Sequence, residues 1–189
     1  RVKNNLQVIS SILNLQSSFV TDEKTLQILA ESQSRIKTMS YIHETLYQTS
    51  DFSSIEFTDY INTLARNLIQ SYSSGSTEIS LKTDFDQIYL NLDQAIPCGL
   101  IINELVSNAT KYAFKDKPKG VILLRIKEKD NKIELEVSDN GIGLTDDFDP
   151  ENSDSLGIYL VQALVEQLDA EMKIVRQPGA RFLITFDKQ

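Results

Sequence analysis

The chain has 189 residues, 41% of them hydrophobic, and a formal net charge of −8. That length supports one sizeable core or two modest ones, and that hydrophobic share excludes a disordered chain. An acidic balance without a basic run is a poor partner for nucleic acid backbones, and a single cysteine, Cys98, excludes an intramolecular disulfide or a Cys-rich metal centre.

No apolar run reaches the roughly 18 residues that a membrane span needs, and no signal-peptide pattern opens the chain. A start at Arg1 rather than Met reads as a piece of something longer. Cys98 lies in an apolar run and is expected to pack there as a small hydrophobe.

Residues from about 2 to 48 read as a helical hairpin. Val2, Leu6, Ile9 and Leu13 form one helical stripe, and Val8, Ile12, Leu15 and Phe19 form a second. Together they make about half the helix circumference apolar, which suits a four-helix bundle better than a surface helix. Thr21 or Asp22 caps the second helix, which carries Ile28, Leu29, Ile36, Met39, Ile42 and Leu46 to about Tyr47. A two-helix hairpin cannot bury that surface alone, so it either pairs with a second copy or docks on the rest of the chain.

Thr49–Ser54 is a polar break between a hairpin unit over residues 1–50 and a second unit over 55–189. Beyond it the spacing predicts a helix over Thr58–Tyr72, ended by Ser73–Ser76, and a strand over Ile79–Thr83. A helix follows over Asp93–Phe114, with Pro97 in its first turn. Strands over Val121–Lys127 and Lys132–Ser138 are joined by Asp130-Asn131, a hairpin signal. Leu156–Leu168 reads as a helix, and Met172–Arg176 and Arg181–Phe186 as strands joined through Pro178-Gly179. The expected fold class is α+β, a sandwich with a mostly antiparallel sheet and helices on one face.

Two segments carry candidate chemistry. On the predicted helix, at about 100° per residue, Asn108 lies within about 40° of Glu104 and Lys111 within about 20°, opposite the apolar face of Ile102, Leu105, Val106, Ala109 and Ala113. An amide and a carboxylate suit Mg²⁺, and an ammonium suits a phosphate. The alternative is a plain solvated polar face. Asp139-Asn-Gly-Ile-Gly-Leu144 follows a strand directly; Gly141 and Gly143 let a ligand approach the backbone, and a carboxylate there can accept from an exocyclic amine such as that of adenine. The alternative is an ordinary Asp-Asn-Gly turn. No Gly-Lys-Ser/Thr follows, so this is not a P-loop. Residues 146–155 are polar and acidic and precede Ser155-Leu-Gly-Ile158, a helix start whose free N–H groups suit phosphate, so they could close as a lid or form a plain surface loop.

Taken in order, Asn108-Ala-Thr-Lys-Tyr112, Asp139-Asn-Gly-Ile-Gly143, Leu156-Gly157, Gly179 and Thr185 resemble the nucleotide-binding boxes of the GHKL, or Bergerat-fold, ATPases. Arg1-Val-Lys-Asn-Asn-Leu-Gln7, Ile42-His-Glu-Thr-Leu-Tyr47, Ala95-Ile-Pro-Cys-Gly-Leu100 and Asp149-Pro-Glu-Asn-Ser-Asp-Ser-Leu156 narrow this to a resemblance to sensor histidine kinases of the HisKA_2 group, related to the HWE kinases. The resemblance implies a Bergerat-type sandwich with a mixed, mostly antiparallel sheet. It implies ATP and Mg²⁺ as cofactors and a protein-histidine kinase of a two-component system that passes the phosphoryl group to an aspartate of a response regulator. By the same resemblance Asn108 would hold Mg²⁺ and Glu104 would polarise the attacking group. Lys111 and Tyr112 would face the phosphates and ribose. Asp139 would read the adenine amine, Gly141, Gly143, Leu156 and Gly157 would shape the pocket and lid, and Thr185 would support adenine. Ala180 stands where the pattern usually has Thr, so no hydroxyl is offered there.

The resemblance also implies an acceptor histidine one residue before Arg1, a homodimer through the hairpin, a receiver domain as partner, and a cytoplasmic location without membrane contact by this portion. His43, the sole histidine, reads as a residue packing beside the bundle core rather than as the acceptor. Two other readings stand beside this one: a silent scaffold that binds a receiver domain without using ATP, and a GHKL ATPase without histidine chemistry.

Overall fold

A computed structural model describes residues 2–48, 55–72, 77–115, 117–145, 148–150 and 155–189. Helices α1 (Val2–Ser17) and α2 (Glu23–Gln48) form the hairpin, and Asp22 caps α2 by accepting from Thr25 N at 2.8 Å. There follow β1 (Ile55–Glu56), α3 (Phe57–Tyr72), β2 (Glu78–Phe85), β3 (Tyr89–Leu90) and α4 (Leu92–Asn108), which continues as one π-helical turn over Ala109–Ala113. The chain closes with β4 (Lys119–Lys129), β5 (Lys132–Asp139), α5 (Leu156–Gln167), β6 (Glu171–Val175) and β7 (Arg181–Asp187). The breaks expected at 49–54 and 73–76, and most of the lid expected at 146–155, lie outside the described residues.

The main sheet runs β2-β4-β5-β7-β6, with β2 parallel to β4 and every other pairing antiparallel. The β4–β5 hairpin turns where Asp130 and Asn131 both take positive φ, the backbone that matches strand twist in a two-residue turn. Alternation then sorts the strands. Ile122, Leu124 and Ile126 of β4, Ile133, Leu135 and Val137 of β5, and Phe182, Ile184 and Phe186 of β7 are buried and share one core with residues of α3, α4 and α5. On the opposite face Glu136 is held by Arg181 at 2.9 Å and Arg125 at 3.5 Å.

Helix α4 is buried on nearly every side, not only on the predicted apolar one. Asn91 caps it by accepting from Gln94 N at 3.0 Å. Pro97 falls in its second turn rather than its first, so the Asp93 carbonyl lacks its intrahelical donor. Cys98 is fully buried among hydrophobes, and burial pushes its thiol up, away from the reactive thiolate.

The hairpin docks on this body through α2. Ile42 is buried against Gly99, where any Cβ would come within 2.8 Å of Ile42 Cδ1, and Tyr60 donates to the Thr38 carbonyl at 3.2 Å. His43 is half-buried. Helix α1 touches α2 but buries no residue, and Val8, Ile12, Leu15 and Phe19, the second predicted stripe, stay exposed. Of the two outcomes open to the hairpin, docking on the chain accounts for α2 and leaves the α1 stripe uncovered. No helix among the described residues is long and apolar enough to cross a membrane.

Candidate functional site

The site is built where the C-terminal ends of α4 and β5 meet. A cavity of about 370 Å³ opens there, lined by Leu105, Asn108, Tyr112, Asp139, Ile142, Gly143, Leu144, Phe148, Ser155, Ala180 and Phe182 among others. Its wall is mostly apolar, with Asp139, Asn108 and Ser155 among its polar residues, the pattern of an apolar small-molecule pocket with a few fixed polar groups.

Asp139 points to the core side because it keeps the parity of Ile133, Leu135 and Val137 along β5. Its Oδ1 accepts from Gly141 N at 2.7 Å and from Ala180 N at 3.3 Å, which fixes the carboxyl plane. Oδ2 has no donor among the described residues. Burial raises this carboxyl above the usual carboxylate range, while the Gly141 and Ala180 N–H groups and the Lys117 charge pull it back.

Two glycines let the loops close on one another. A Cβ at Gly141 would lie 2.2 Å from the Ala113 carbonyl, so only glycine lets Ile142 N reach that same oxygen at 2.9 Å. A Cβ at Gly179 would lie 1.9 Å from the Asp139 carbonyl, and its φ of +72° is a conformation other residues rarely take. The loop beyond Gly143 is strapped by Gln177, which donates to the carbonyls of Ile142 and Leu144, and by Arg176, which donates to Phe148 O at 3.0 Å.

The predicted residues divide. Asn108, Tyr112, Asp139 and Gly143 line the cavity; Gly141 shapes its loop from behind. Leu156 is exposed at the first residue of α5, and Gly157 is buried behind the cavity, its Cα side facing the Glu104 carboxylate. Thr185 corrects the expectation. Phe182, Ile184 and Phe186 face the core, so parity sends Thr185 to the outer face beside Glu134 and Glu171, away from the cavity.

Glu104 and Lys111 are not among the cavity's lining; α2 packs on that side of α4 and both side chains pair with it. Arg35 Nε and Nη2 donate to the two Glu104 oxygens at 2.8 Å each, and Asn103 Nδ2 adds a third bond at 3.1 Å. Lys111 Nζ lies 2.8 Å from Glu31 and 4.4 Å from the centre of the Tyr72 ring. On the π-turn at Ala109–Ala113, Lys111 lines the slot against α2, and Tyr112 lines both that slot and the cavity. Sequence reasoning also missed Ile142, Leu144, Phe148 and Ala180 as lining; the first two were legible as apolar residues flanking the glycines.

Residues 93–189 match the family described as histidine kinase-, DNA gyrase B- and HSP90-like ATPase, and residues 1–72 match the histidine kinase family HisKA_2. The chain belongs to the histidine kinase-, DNA gyrase B- and HSP90-like ATPase family. Within the family it is similar to the sensor histidine kinase PdtaS of Mycobacterium tuberculosis, 30% identical over 95% of this chain and 36% of that protein. It is also similar to the blue-light-activated histidine kinase 2 of Erythrobacter litoralis, 29% identical over 93% of this chain and 51% of that one. The chain thus spans about a third to a half of these relatives. Its fold is shared by the histidine kinase domain of the Erythrobacter litoralis EL346 blue-light activated kinase, with a TM-score of 0.71 at 21% identity, covering 98% of this chain and 94% of that domain.

Proposed function

We propose that the chain is the ATP-binding and phosphotransfer core of a two-component sensor histidine kinase. The observation that carries this reading is the Asp139 carboxylate, half-buried in an apolar cavity with one oxygen fixed by backbone N–H groups and the other open to a ligand's amine. The residues fit Mg·ATP. Adenine's amine would donate to Asp139 Oδ2, its ring lying against Leu105, Ile142 and Phe182. Asn108 offers a hard oxygen for Mg²⁺, and the N–H groups of the first turn of α5, which carries no side-chain cap, suit the phosphates. Bound Mg²⁺ would neutralise phosphate charge, which is most of what phosphoryl transfer asks of a protein.

The acceptor we infer is a histidine immediately before Arg1 in the longer protein, whose imidazole takes the γ-phosphoryl as the bond to the β-phosphate oxygen breaks. An aspartate of a response regulator receives it next, and the uncovered apolar stripe of α1 supports pairing with a second copy. A protein extended a few residues before Arg1 should gain acid-labile, alkali-stable phosphate from γ-labelled ATP. His43→Gln should leave that label largely intact; its loss with the fold preserved would move the acceptor to His43. Nucleotide binding without any label would favour an ATPase without histidine chemistry or a silent scaffold.

A further inference from the structure

Four charges lie along the seam between α2 and α4 and its π-turn, and they are paired crosswise. Arg35 holds Glu104 with a bidentate fork, and Glu31 holds Lys111. Ser34, between them on the same face of α2, donates to Asn103 Oδ1 at 2.9 Å. Arg35 also lies 3.8 Å from Glu31 within its own helix.

We infer that α2 is a latch on the nucleotide-binding face, opened by an exchange of ion-pair partners: Arg35 passes from Glu104 to Glu31, freeing Glu104 and Lys111 for the Mg·nucleotide. The inference rests on the nucleotide reading above and adds its regulation. In the latched arrangement both Glu104 oxygens accept from a guanidinium, so neither is open to a ligand, and Lys111 is paired with Glu31 in a slot that also takes in Gln27, Ala30, Tyr72 and Tyr112. In the released arrangement Arg35, Glu31 and Lys111 each still have a charged partner, and Glu104 keeps the Asn103 amide. Glu31 loses Lys111 but keeps Arg35, one helical turn away, and Lys111 trades a carboxylate for phosphate oxygens.

Three observations favour a switch over a permanent brace. The Arg35–Glu104 pair is buried, with side chains 11% and 7% exposed, and such a pair gains little net stability over a packed apolar seam. Ser107 Oγ, buried on the same helix, has no hydrogen-bond partner among the described residues, so the surroundings are not fully satisfied. Glu104 also sits against the margin the phosphates would use: a Cβ at Gly157, at the start of α5, would lie 2.7 Å from Glu104 Oε2, while neighbouring Ser155 lines the cavity. Phosphate charge arriving there draws on the same Lys111 that secures α2.

Linkage makes the test reciprocal: if docking of α2 opposes nucleotide binding, nucleotide must loosen α2. The affinity of Mg·AMP-PNP is measured by calorimetry for wild type, Arg35→Met and Glu31→Gln, with hydrogen exchange of the α2 amides over residues 31–38. The latch predicts about tenfold tighter binding in Arg35→Met, no such gain in Glu31→Gln, which removes the carboxylate that Arg35 passes to, and loss of α2 protection in wild type on saturation with nucleotide. Arg35→Lys, which keeps the charge but not the fork, should fall between wild type and Arg35→Met. If Arg35→Met does not fold, Arg35→Lys and the wild-type α2 protection carry the expectation. Binding by wild type with unchanged or weaker affinity in the Arg35 variants, with an about tenfold gain in Glu31→Gln, or with unchanged α2 protection, overturns the latch alone. No binding by any of them overturns the nucleotide reading and the latch with it.

Discussion

The two sides of α4 hold their polar groups by different means. On the cavity side, Asp139 is set by strand parity, by two backbone N–H groups and by glycines that admit no Cβ. On the hairpin side, Glu104 and Lys111 are set by the side chains of Arg35 and Glu31. Backbone-set geometry cannot be rearranged without rebuilding the loops around it, whereas ion pairs exchange by rotamer changes. The cavity side is suited to recognising one ligand, and the hairpin side to choosing between partners.

Substitutions can probe that contrast, beginning where the backbone is tightest. Gly179→Ala forces a Cβ into the Asp139 carbonyl at a positive φ, and should cost about 3 kcal/mol or more in denaturant unfolding and abolish nucleotide binding. A variant of near wild-type stability would show that this junction is not rigid.

Asp139→Asn should separate recognition from stability. Its Oδ1 can keep both backbone bonds, but an amide N–H₂ then faces a ligand's amine, so adenine nucleotide affinity should fall about 10- to 100-fold by calorimetry. The melting temperature at pH 7 should not fall. Burial raises the Asp139 carboxyl, so its favourable contribution is present below the unfolded-state pKa and lost as pH rises through the folded one; at neutral pH the ionised group opposes folding. By the same sign, wild-type nucleotide affinity should weaken on acidification at a higher pH than for an ordinary carboxylate.

On the hairpin side, Ser34→Ala removes one neutral hydrogen bond to Asn103 and should cost about 1 kcal/mol, leaving the cavity's affinity no weaker. Thr185→Val should do least: on the outer sheet face it should leave affinity within about twofold, and a larger loss would contradict the parity that turns it outward.

Much of this was legible before the structure. The left-handed turn at Asp130-Asn131, the stripes of α1 and the strand preceding Asp139 follow from local chemistry. The two-residue strands β1 and β3 and the parallel β2–β4 pairing were not, because their partners lie far away in sequence. The helical wheel found Glu104 and Lys111 on one polar face but could not say that α2 covers it. Nothing in Ala109-Thr-Lys-Tyr-Ala113 announces the π-turn that carries Lys111 and Tyr112. Thr185 was legible from the alternation of Phe182, Ile184 and Phe186, and only the motif resemblance pointed the other way.

The most direct test of the account is an amide-resolved titration with Mg·AMP-PNP. Saturable shifts should centre on residues 139–144, on Tyr112 and Ala113 beneath that loop, and on the start of α5. Absence of binding, or shifts confined to other surfaces, would contradict the claim that this cavity holds the nucleotide.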